Sequence, residues 1–411
     1  MGREPQRAPS SPRLDGDRLL AELEGAAKLP WRDGRSRLRE LAGSLGRFRT
    51  GGRPPILVTE AVFGAELMQA VESRTEDRYR HYLRTLERSL REAAHSAVSD
   101  INLRRWKEHE DILTESLWIF PRRDGGGAHS AEYHGNFIPQ IPNQVIRRFS
   151  KPGELVLDLF AGLGTTLIEA RRLGRPCIGV ELDPAVAEAA REALDREGGQ
   201  GGPASVLLVG DSSLPATLKA IRRQMRGLGR AGAQLILLHP PYHDIVPFSG
   251  LPGDLSAAAS VEEFLRRMEA VLRMAWELLD PGRFLVVVIG DKYERGRWVP
   301  LGFRTMHRAE RCGFTLKSVV VKNMEGNRAK RGTQRLWARR AIAGNFYIFK
   351  HEYVFLFEKP RDTPRQLSLT DLPGRAAPRR RSSVRRRAGR RGARRARGAS
   401  GTSGRGRTRR A

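Results

Sequence analysis

The stretch ELVLDLFAGLGTTLIEARRLG, residues 154–174, limits the possible folds more than any other part of the chain. An apolar run from Leu155 to Leu159 leads into Gly162 and Gly164, and apolar residues at helical spacing follow. A strand, a glycine turn and a helix suit nucleotide binding, because glycine lets a ligand approach the backbone and the helix start offers free N–H groups. The pattern predicts a parallel sheet with a ligand at the carboxyl end of this strand.

Acidic residues end the next two apolar runs. CIGVELDP places Glu181 19 residues after Gly162, and SVLLVGDSS contains Asp211 at the end of its apolar run. A carboxylate at the first position can bond both ribose hydroxyls of an adenosine group, and one at the second can bond the adenine amino group. Either acid alone is typical of a solvated strand end. Three consecutive strand ends with these features indicate an adenosine-containing cofactor.

Composition divides the chain into four regions. Residues 1–14 are polar and are expected to be disordered, whereas residues 15–117 have apolar residues at helical spacing and are expected to form a helical accessory region. In residues 118–360, short β-branched runs alternate with amphipathic helices, which is typical of an α/β domain with a mostly parallel sheet. Residues 361–411 form an arginine-rich tail that is expected to be disordered.

The chain is strongly basic. Its formal net charge is +28, and 16 arginines without any acidic residue lie between Arg375 and the end, which leaves +12 for the preceding residues. A basic surface favours a polyanion partner such as nucleic acid. Two interpretations of the tail stay open: a non-specific tether to nucleic acid, or low-complexity sequence without a selected role.

Other features argue against several classes of protein. No apolar run approaches the roughly 20 residues of a membrane-spanning helix, and the N-terminal residues are unlike a signal peptide, so a cytoplasmic protein is expected. Cys177 and Cys312 are far apart and no CxxC spacing occurs. The cysteines therefore predict neither a disulfide framework nor a metal site.

Two blocks of residues 118–360 resemble a known family. DLFAGLGTT is similar to the cofactor loop, usually DPFxGSGTT, and HPPY is similar to the catalytic (D/N/S)PP(Y/F) block of the S-adenosylmethionine-dependent DNA amino methyltransferases, which make N6-methyladenine or N4-methylcytosine. The chain departs from these patterns at Leu159, Leu163 and His239. The resemblance implies a Rossmann-like methyltransferase sheet, mostly parallel, with seven strands including a closing antiparallel strand.

The resemblance also implies the ligands and the residues that hold them. The cofactor is expected to be S-adenosylmethionine and the partner double-stranded DNA, with a restriction endonuclease encoded nearby as a further partner. In the upstream segment YHGNFIPQ, His134 and Asn136 are expected to bond the carboxylate of the cofactor. The other expected cofactor-binding residues are Asp158, Phe160, Gly162, Gly164, Thr165, Thr166, Glu181 and Asp211.

The HPPY block suits methyl transfer to an amino group. The lone pair of a base amino nitrogen is delocalised into the ring, and two rigid acceptors opposite its hydrogens would localise it. The His239 side chain and the Pro240 carbonyl are predicted to be these acceptors, held rigid by Pro240 and Pro241, and Tyr242 is predicted to stack on a flipped base. Because histidine accepts only when it is neutral, we expect the rate to fall below about pH 6.

Later segments are expected to contact the base or the DNA. Residues 323–350 form a predicted basic insertion with seven basic residues and one acidic residue, and NFYIFK within it resembles the block that contacts the target base in the family. The residues expected to make such contacts are Phe248, Asp291, Lys292, Arg335, Phe346 and Tyr347.

Several other activities share part of the pattern. A dinucleotide dehydrogenase usually has GxGxxG, which FAGLGTT lacks, and a cytosine carbon-5 methyltransferase would need its Pro-Cys nucleophile later than Pro176-Cys177. A protein-glutamine methyltransferase would not need the basic insertion and tail. An RNA amino methyltransferase and an inactive DNA-binding homologue remain alternatives. The recognition sequence, the oligomeric state and the target base stay open, with a slight preference for cytosine because neutral histidine, like serine, brings no carboxylate or carboxamide.

Overall fold

The computed structural model describes residues 12–51, 56–92, 94–129, 135–198, 202–294, 296–324 and 334–361. Residues 1–11, His134 and nearly all of the predicted arginine-rich tail, from residue 362 onwards, lie outside these ranges. Within them, no helix combines the length and the apolar character needed to cross a membrane.

The described helices are numbered along the chain. They are α1 (Gly16–Ala27), α2 (Trp31–Gly43), α3 (Glu60–Val71), α4 (Glu76–Arg91), α5 (Gln140–Phe149), α6 (Thr165–Arg172), α7 (Pro184–Glu197), α8 (Pro215–Gly227), α9 (Val261–Leu278), α10 (Leu301–Arg311) and α11 (Gln334–Ala343).

The described strands form one large sheet and two small ones. They are β1 (Arg13–Asp15), β2 (Leu57–Thr59), β3 (Leu117–Trp118), β4 (Val156–Asp158), β5 (Cys177–Glu181), β6 (Ser205–Val209), β7 (Ala233–Leu238), β8 (Leu279–Ile289), β9 (Lys292–Glu294), β10 (Arg297–Val299), β11 (Thr315–Asn323) and β12 (His351–Glu358). The large sheet has the order β3-β11-β12-β8-β7-β4-β5-β6, and β1 pairs with β2 and β9 with β10.

The order in which successive strands are added to the large sheet reverses at β4. Strands β5 and β6 extend the sheet on one side of β4, whereas β7 and β8 extend it on the other, and all these pairs are parallel. Strand β12 is antiparallel to both of its neighbours, β8 and β11. Ligands bind at such a switch point, outside the carboxyl ends of the strands, because the loops diverge there and leave a crevice.

Helices cover both faces of the sheet, as the alternation of apolar strands and amphipathic helices predicts. One hydrophobic core contains buried residues of α8, α9 and α10, and the second contains buried residues of α5, α6 and α7. Strand β7 has five buried residues among its six because both of its faces are covered. The mostly parallel α/β fold and the closing antiparallel strand are confirmed.

The N-terminal helices α1 to α4 have a separate hydrophobic core. In α4, the buried residues Tyr79, Leu83, Leu86 and Leu90 recur at intervals of four and three, so they share one face of the helix. The helices lie within the segment that the sequence predicts to be helical, and its role stays a prediction.

Two features differ from the sequence-based expectation. The described part of the large sheet has eight strands rather than seven, because the two-residue β3 pairs in parallel with β11. A strand of two residues shows no alternation of apolar and polar residues that a sequence could reveal. The predicted basic insertion is also not wholly a loop, since α11 lies within it and residues 325–333 are outside the described ranges.

Candidate functional site

A cavity of about 780 Å³ lies at the carboxyl ends of the central strands. We call one part of it the acidic end, lined by Phe160, Gly162, Glu181 and Asp211, which follow β4, end β5 or follow β6. We call the other part the aromatic end, lined by Tyr242, Phe248, Tyr293, Phe346 and Phe349. His239, Pro240 and Pro241 also line the cavity, so the two predicted sites share one space.

The glycine loop of the acidic end is fixed by two carboxylates. Asp158 Oδ1 accepts a hydrogen bond from the Phe160 N–H at 2.9 Å, and Glu181 Oε2 accepts one from the Gly162 N–H at 2.8 Å. Gly162 and Gly164 have φ angles of 50° and 78°, which side chains with a Cβ rarely adopt. Helix α6 begins directly after this loop, as the sequence predicts.

The two predicted cofactor acids face the same cavity. Glu181 Oε1 accepts from the Asp183 N–H at 3.0 Å, and burial raises the pKa of Glu181 while backbone N–H groups oppose that rise. Asp211 Oδ1 accepts from the N–H and the hydroxyl of Ser213, both at 2.7 Å. A Cβ on Gly253 would lie 2.3 Å from Asp211 Oδ2, so a glycine is needed where the following loop passes this acid.

These residues fit an adenosine-containing cofactor. A carboxylate offers about four lone-pair positions, and the backbone N–H of Gly162 and that of Asp183 each bond one oxygen of Glu181. The carboxylate is thus oriented by the backbone and keeps acceptor capacity toward the cavity, as two ribose hydroxyls require. Phe160 adds an apolar surface beside it.

The other predicted cofactor residues fall into three groups. Asn136 lines the cavity, whereas His134 lies outside the described residues. Four others are not in the cavity wall: Asp158, Gly164, Thr165 and Thr166. Asp158 is fully buried, and burial raises its pKa to about 6, while the hydrogen bond from the Phe160 backbone N–H opposes this rise. Asp158 therefore orders the loop rather than contacting a ligand in the cavity.

His239 is held in a neutral state beside the cavity. Its Nε2 lies 3.1 Å from the Tyr242 hydroxyl, and its ring centroid lies 4.8 Å from that of Phe137. Burial lowers the pKa of His239 to about 4, with Glu352 opposing this change and Lys322 adding to it. The histidine is thus neutral near pH 7, but it loses its acceptor capacity about two pH units lower than the sequence alone predicts.

Tyr242 combines a packed ring with a bonded hydroxyl. A Cβ on Gly290 would lie 3.0 Å from Tyr242 Cε2, so the tyrosine ring lies against the end of β8. The hydroxyl donates to Glu352 Oε2 at 2.7 Å. Burial, followed by the charge of Glu352, raises the pKa of Tyr242 well above its usual range, so the hydroxyl keeps its proton at neutral pH.

The aromatic end gathers rings from distant segments. The ring centroid of Tyr293 lies 4.9 Å from that of Phe349, in a stacked arrangement, and 4.6 Å from that of Phe346. Phe248 approaches from the loop after HPPY and packs against Gly135, which comes from the segment before α5. Gly135 has a φ of 98°, and a Cβ on it would lie only 2.7 Å from the Phe248 ring. Flat apolar walls of this kind suit a nucleobase.

Two of the six predicted base or DNA contacts lie outside the cavity wall, and two others, Asp291 and Lys292, line it but are held by other side chains. Tyr347 is 92% exposed, and Arg335 is exposed on α11, so neither lines the cavity. Asp291 borders the cavity, but it is buried and accepts hydrogen bonds from the Gly302 N–H, the Trp298 indole and the Tyr353 hydroxyl.

Lys292 is also buried, and this position has a structural reason. Its ammonium donates to His243 Nδ1 at 2.7 Å and to Asp244. We therefore expect Asp291 and Lys292 to support the cavity rather than to bond a base, and only Phe248 and Phe346 of this set provide its aromatic wall.

Sequence reasoning missed three polar residues near the HPPY turn. His243, directly after Tyr242, has a φ of 54° and directs Nε2 to the Ala258 carbonyl at 2.9 Å. Lys322 and Glu352 form a buried ion pair at 3.0 Å across β11 and β12. For Lys322 and Glu352, the sequence signal was a single charged residue at the edge of an apolar run. Lys322 ends VVVK, and Glu352 directly precedes YVFLF. Among the described residues, no group of three or more His, Cys, Asp or Glu side chains is placed to hold a metal ion.

Comparisons with known proteins identify similar sequences. A family model described as DNA methylase matches residues 68–192 and 233–396, more than half of the chain. A segment of 52 residues is 36% identical to the Type II methyltransferase M.MjaII of Methanocaldococcus jannaschii, covering 13% of this chain and 10% of that protein. The match therefore spans only about a tenth of that relative.

The solved structures that match this chain have lower sequence identity to it. TrmN from Thermus thermophilus is 21% identical over 54% of this chain and 49% of that chain, with a TM-score of 0.36. A TehB-like SAM-dependent methyltransferase from Corynebacterium glutamicum is 17% identical over 53% of this chain and 86% of that chain, with a TM-score of 0.31.

Proposed function

Because the chain belongs to the DNA methylase family, we propose that it methylates the exocyclic amino nitrogen of cytosine (N4) or adenine (N6) in double-stranded DNA at specific sites. S-Adenosylmethionine is its cofactor and supplies an electrophilic methyl group. The observation that carries the proposal is the single cavity, in which His239, Pro240 and Tyr242 adjoin the aromatic end while Glu181 and Asp211 form the acidic end.

The residues that line the cavity have different roles in the proposed reaction. Neutral His239 and the Pro240 carbonyl accept from the two hydrogens of the amino group, which localises the nitrogen lone pair for attack on the methyl group. As the bond from nitrogen to the methyl carbon forms, the carbon–sulfur bond breaks, and the amino group loses one proton to water. His239, with a pKa of about 4, accepts the hydrogen bond but does not keep the proton at neutral pH. Glu181 and Asp211 orient the adenosine part of the cofactor.

The base must leave the duplex to reach this cavity. The amino group of a paired base is hydrogen-bonded within the helix, so an enzyme of this type extrudes the nucleotide and stacks the base between side chains. Tyr242 is proposed as one wall, and Phe248 and Phe346 are the predicted aromatic residues available for the other.

The wider setting remains part of the proposal. A cytoplasmic location with the DNA, and a restriction endonuclease encoded nearby, would suit a site-specific DNA methylase.

A competition between acceptors tests the substrate class. Purified full-length protein is incubated with methyl-labelled S-adenosylmethionine and with unmethylated duplex DNA, transfer RNA or total protein, each supplied separately. We expect label in DNA, incorporated at least about 100-fold more slowly when His239 is replaced by alanine. Label in RNA or protein alone would overturn the assignment to DNA, and an absence of label with every acceptor would favour an inactive DNA-binding homologue.

The pH profile gives a second expected result. Because the pKa of His239 is lowered to about 4, kcat/KM should show no His239-dependent fall between about pH 8 and pH 5. The unfolded chain binds this proton near pH 6.5, so the folded protein should also lose stability as the pH falls from about 6.5 toward 4. An apparent pKa near 6.5 that disappears in His239→Asn would contradict the buried, neutral state.

The salt dependence of DNA binding tests the role of α11. Arg335 and Arg339 are exposed on this helix, and each phosphate contact contributes about 0.9 to the slope of log K against log salt. The double variant Arg335→Ala/Arg339→Ala should reduce the slope by about 1.8. A matched loss of charge on α8, Arg222→Ala/Arg223→Ala, should change it little; equal changes in both variants would instead indicate attraction by net charge alone.

A further inference from the structure

Four side chains form a continuous chain of contacts beside the cavity. Lys322 Nζ donates to Glu352 Oε1 at 3.0 Å, the Tyr242 hydroxyl donates to Glu352 Oε2 at 2.7 Å, and His239 Nε2 lies 3.1 Å from the same hydroxyl. Lys322 and Glu352 are direct partners across the antiparallel pair of β11 and β12. They are only 7% and 6% exposed, so bulk solvent screens their ion pair little.

The protons in this chain can be counted. Lys322 is a donor only, and an ionised Glu352 is an acceptor only. Tyr242 has a single hydroxyl proton, and the short bond to the carboxylate uses it. The remaining partner of the tyrosine oxygen, His239 Nε2, must then be the donor at 3.1 Å. A neutral imidazole that carries its proton on Nε2 has its lone pair on Nδ1.

The opposite tautomer would be less favourable. With its proton on Nδ1, the ring could donate to the Gly135 backbone, a contact that slightly raises the pKa of His239. Nε2 would then need the Tyr242 proton, and Glu352 would lose a hydrogen bond to an ionised oxygen, which is stronger than a bond between neutral groups. The other oxygen of the Glu352 carboxylate is paired with Lys322 at 3.0 Å, and this contact favours the first arrangement.

We propose that Glu352, held by Lys322, is a positioning residue that acts through the Tyr242 hydroxyl to keep the His239 proton on Nε2 and the acceptor lone pair on Nδ1. The inference rests on the proposed function, in which His239 accepts from the target amino group. Aspartate, asparagine and serine have no ring tautomer to select, so the histidine of HPPY creates a requirement that the hydroxyl of Tyr242 meets.

A double-mutant cycle measures this dependence. Tyr242→Phe keeps the ring for stacking but removes the hydroxyl, and we expect kcat to fall about fivefold to tenfold, the effect of one net hydrogen bond. In a His239→Asn background, the same change should cost at least about threefold less, because the amide has no tautomer to fix. Equal losses in both backgrounds would overturn the proposal, since the hydroxyl would then act independently of His239.

Nitrogen NMR of the imidazole tests the tautomer without any need for methyl transfer. The protein has nine histidines, and the signals of His239 are assigned by their loss in His239→Asn. We expect a neutral ring with its proton on Nε2 in the wild type and a mixture of tautomers in Tyr242→Phe. A wild-type ring with its proton on Nδ1 would refute the inference even if DNA is methylated, and the expected tautomer in a protein that methylates no DNA would refute only the proposed function.

Glu352→Gln tests the carboxylate itself, with Glu358→Gln as its control on the same strand. Glu358 pairs with Lys317 at 3.1 Å in a more exposed position. Glu352→Gln should shift the His239 tautomer and lower kcat with little change in KM for DNA, whereas Glu358→Gln should do neither. Thermal melting checks that both variants fold; if Glu352→Gln does not, the Tyr242→Phe cycle and spectra decide the question.

Discussion

Replacing His239 with alanine is expected to lower kcat for DNA methylation by about 10²–10³-fold, the usual effect of removing one preorganised group that stabilises a transition state. The substitution leaves the Pro240 carbonyl as the only one of the two proposed acceptors. The ring also fills space against Phe137, with 4.8 Å between the ring centroids, so kcat rather than folding must be shown to change.

Single-turnover kinetics with saturating cofactor and DNA measure this effect. The matched control is His307→Ala, because His307 is exposed on α10 and pairs only locally with Glu310. Cofactor affinity should be unchanged in both variants, since neither removes Glu181 or Asp211. If His239→Ala kept its rate within about threefold of the wild type, the effect would be smaller than the loss of one hydrogen bond to a charged group. His239 would then have no part in the chemistry.

Replacing Glu181 with alanine is expected to weaken S-adenosylmethionine binding about 100-fold or more. Hydrogen bonds to a charged group contribute about 1.5–3 kcal/mol each, and the carboxylate is proposed to accept two from the ribose. The change also frees the Gly162 and Asp183 N–H groups that Glu181 now bonds. Glu181→Gln, which keeps one acceptor oxygen, should give an intermediate loss.

Calorimetric titration with the cofactor separates this role from a general effect of charge. Glu188→Ala is the control, because Glu188 is an exposed residue of α7 that pairs with Arg191. We expect the control to bind the cofactor as tightly as the wild type. If Glu181→Ala also bound within a few-fold of the wild type, the acidic end would not be the ribose site.

The fold was largely predictable because burial controls the strand pattern. Strands covered on both faces, such as β7, read as continuous apolar runs, and their carboxyl ends fall where Gly162, Glu181 and Asp211 occur. Strand β3 was missed because two residues have no periodicity. Helix α11 was missed because its arginines and aromatic residues were interpreted as a long, DNA-facing basic loop.

The site was predictable only where chemistry is encoded by neighbours in sequence. HPPY is contiguous, so its four residues could be assigned together and all of them line the cavity. The bond between Tyr242 and Glu352 joins residues 110 positions apart, and the burial of Lys292 depends on His243 and Asp244 from another loop. The pKa of His239 depends on its burial in the folded protein, which the sequence does not reveal. From the sequence alone, the methylation rate was therefore expected to fall below about pH 6.

Nucleoside mass spectrometry identifies the methylated atom and so shows whether the protein methylates an amino group of DNA. Unmethylated duplex DNA is incubated with the purified protein and methyl-labelled S-adenosylmethionine, digested to nucleosides and analysed. We predict label in N4-methylcytosine or N6-methyladenine, formed about 10²–10³-fold more slowly with His239→Ala. Label in 5-methylcytosine, or unlabelled DNA alongside labelled RNA or protein, would contradict it.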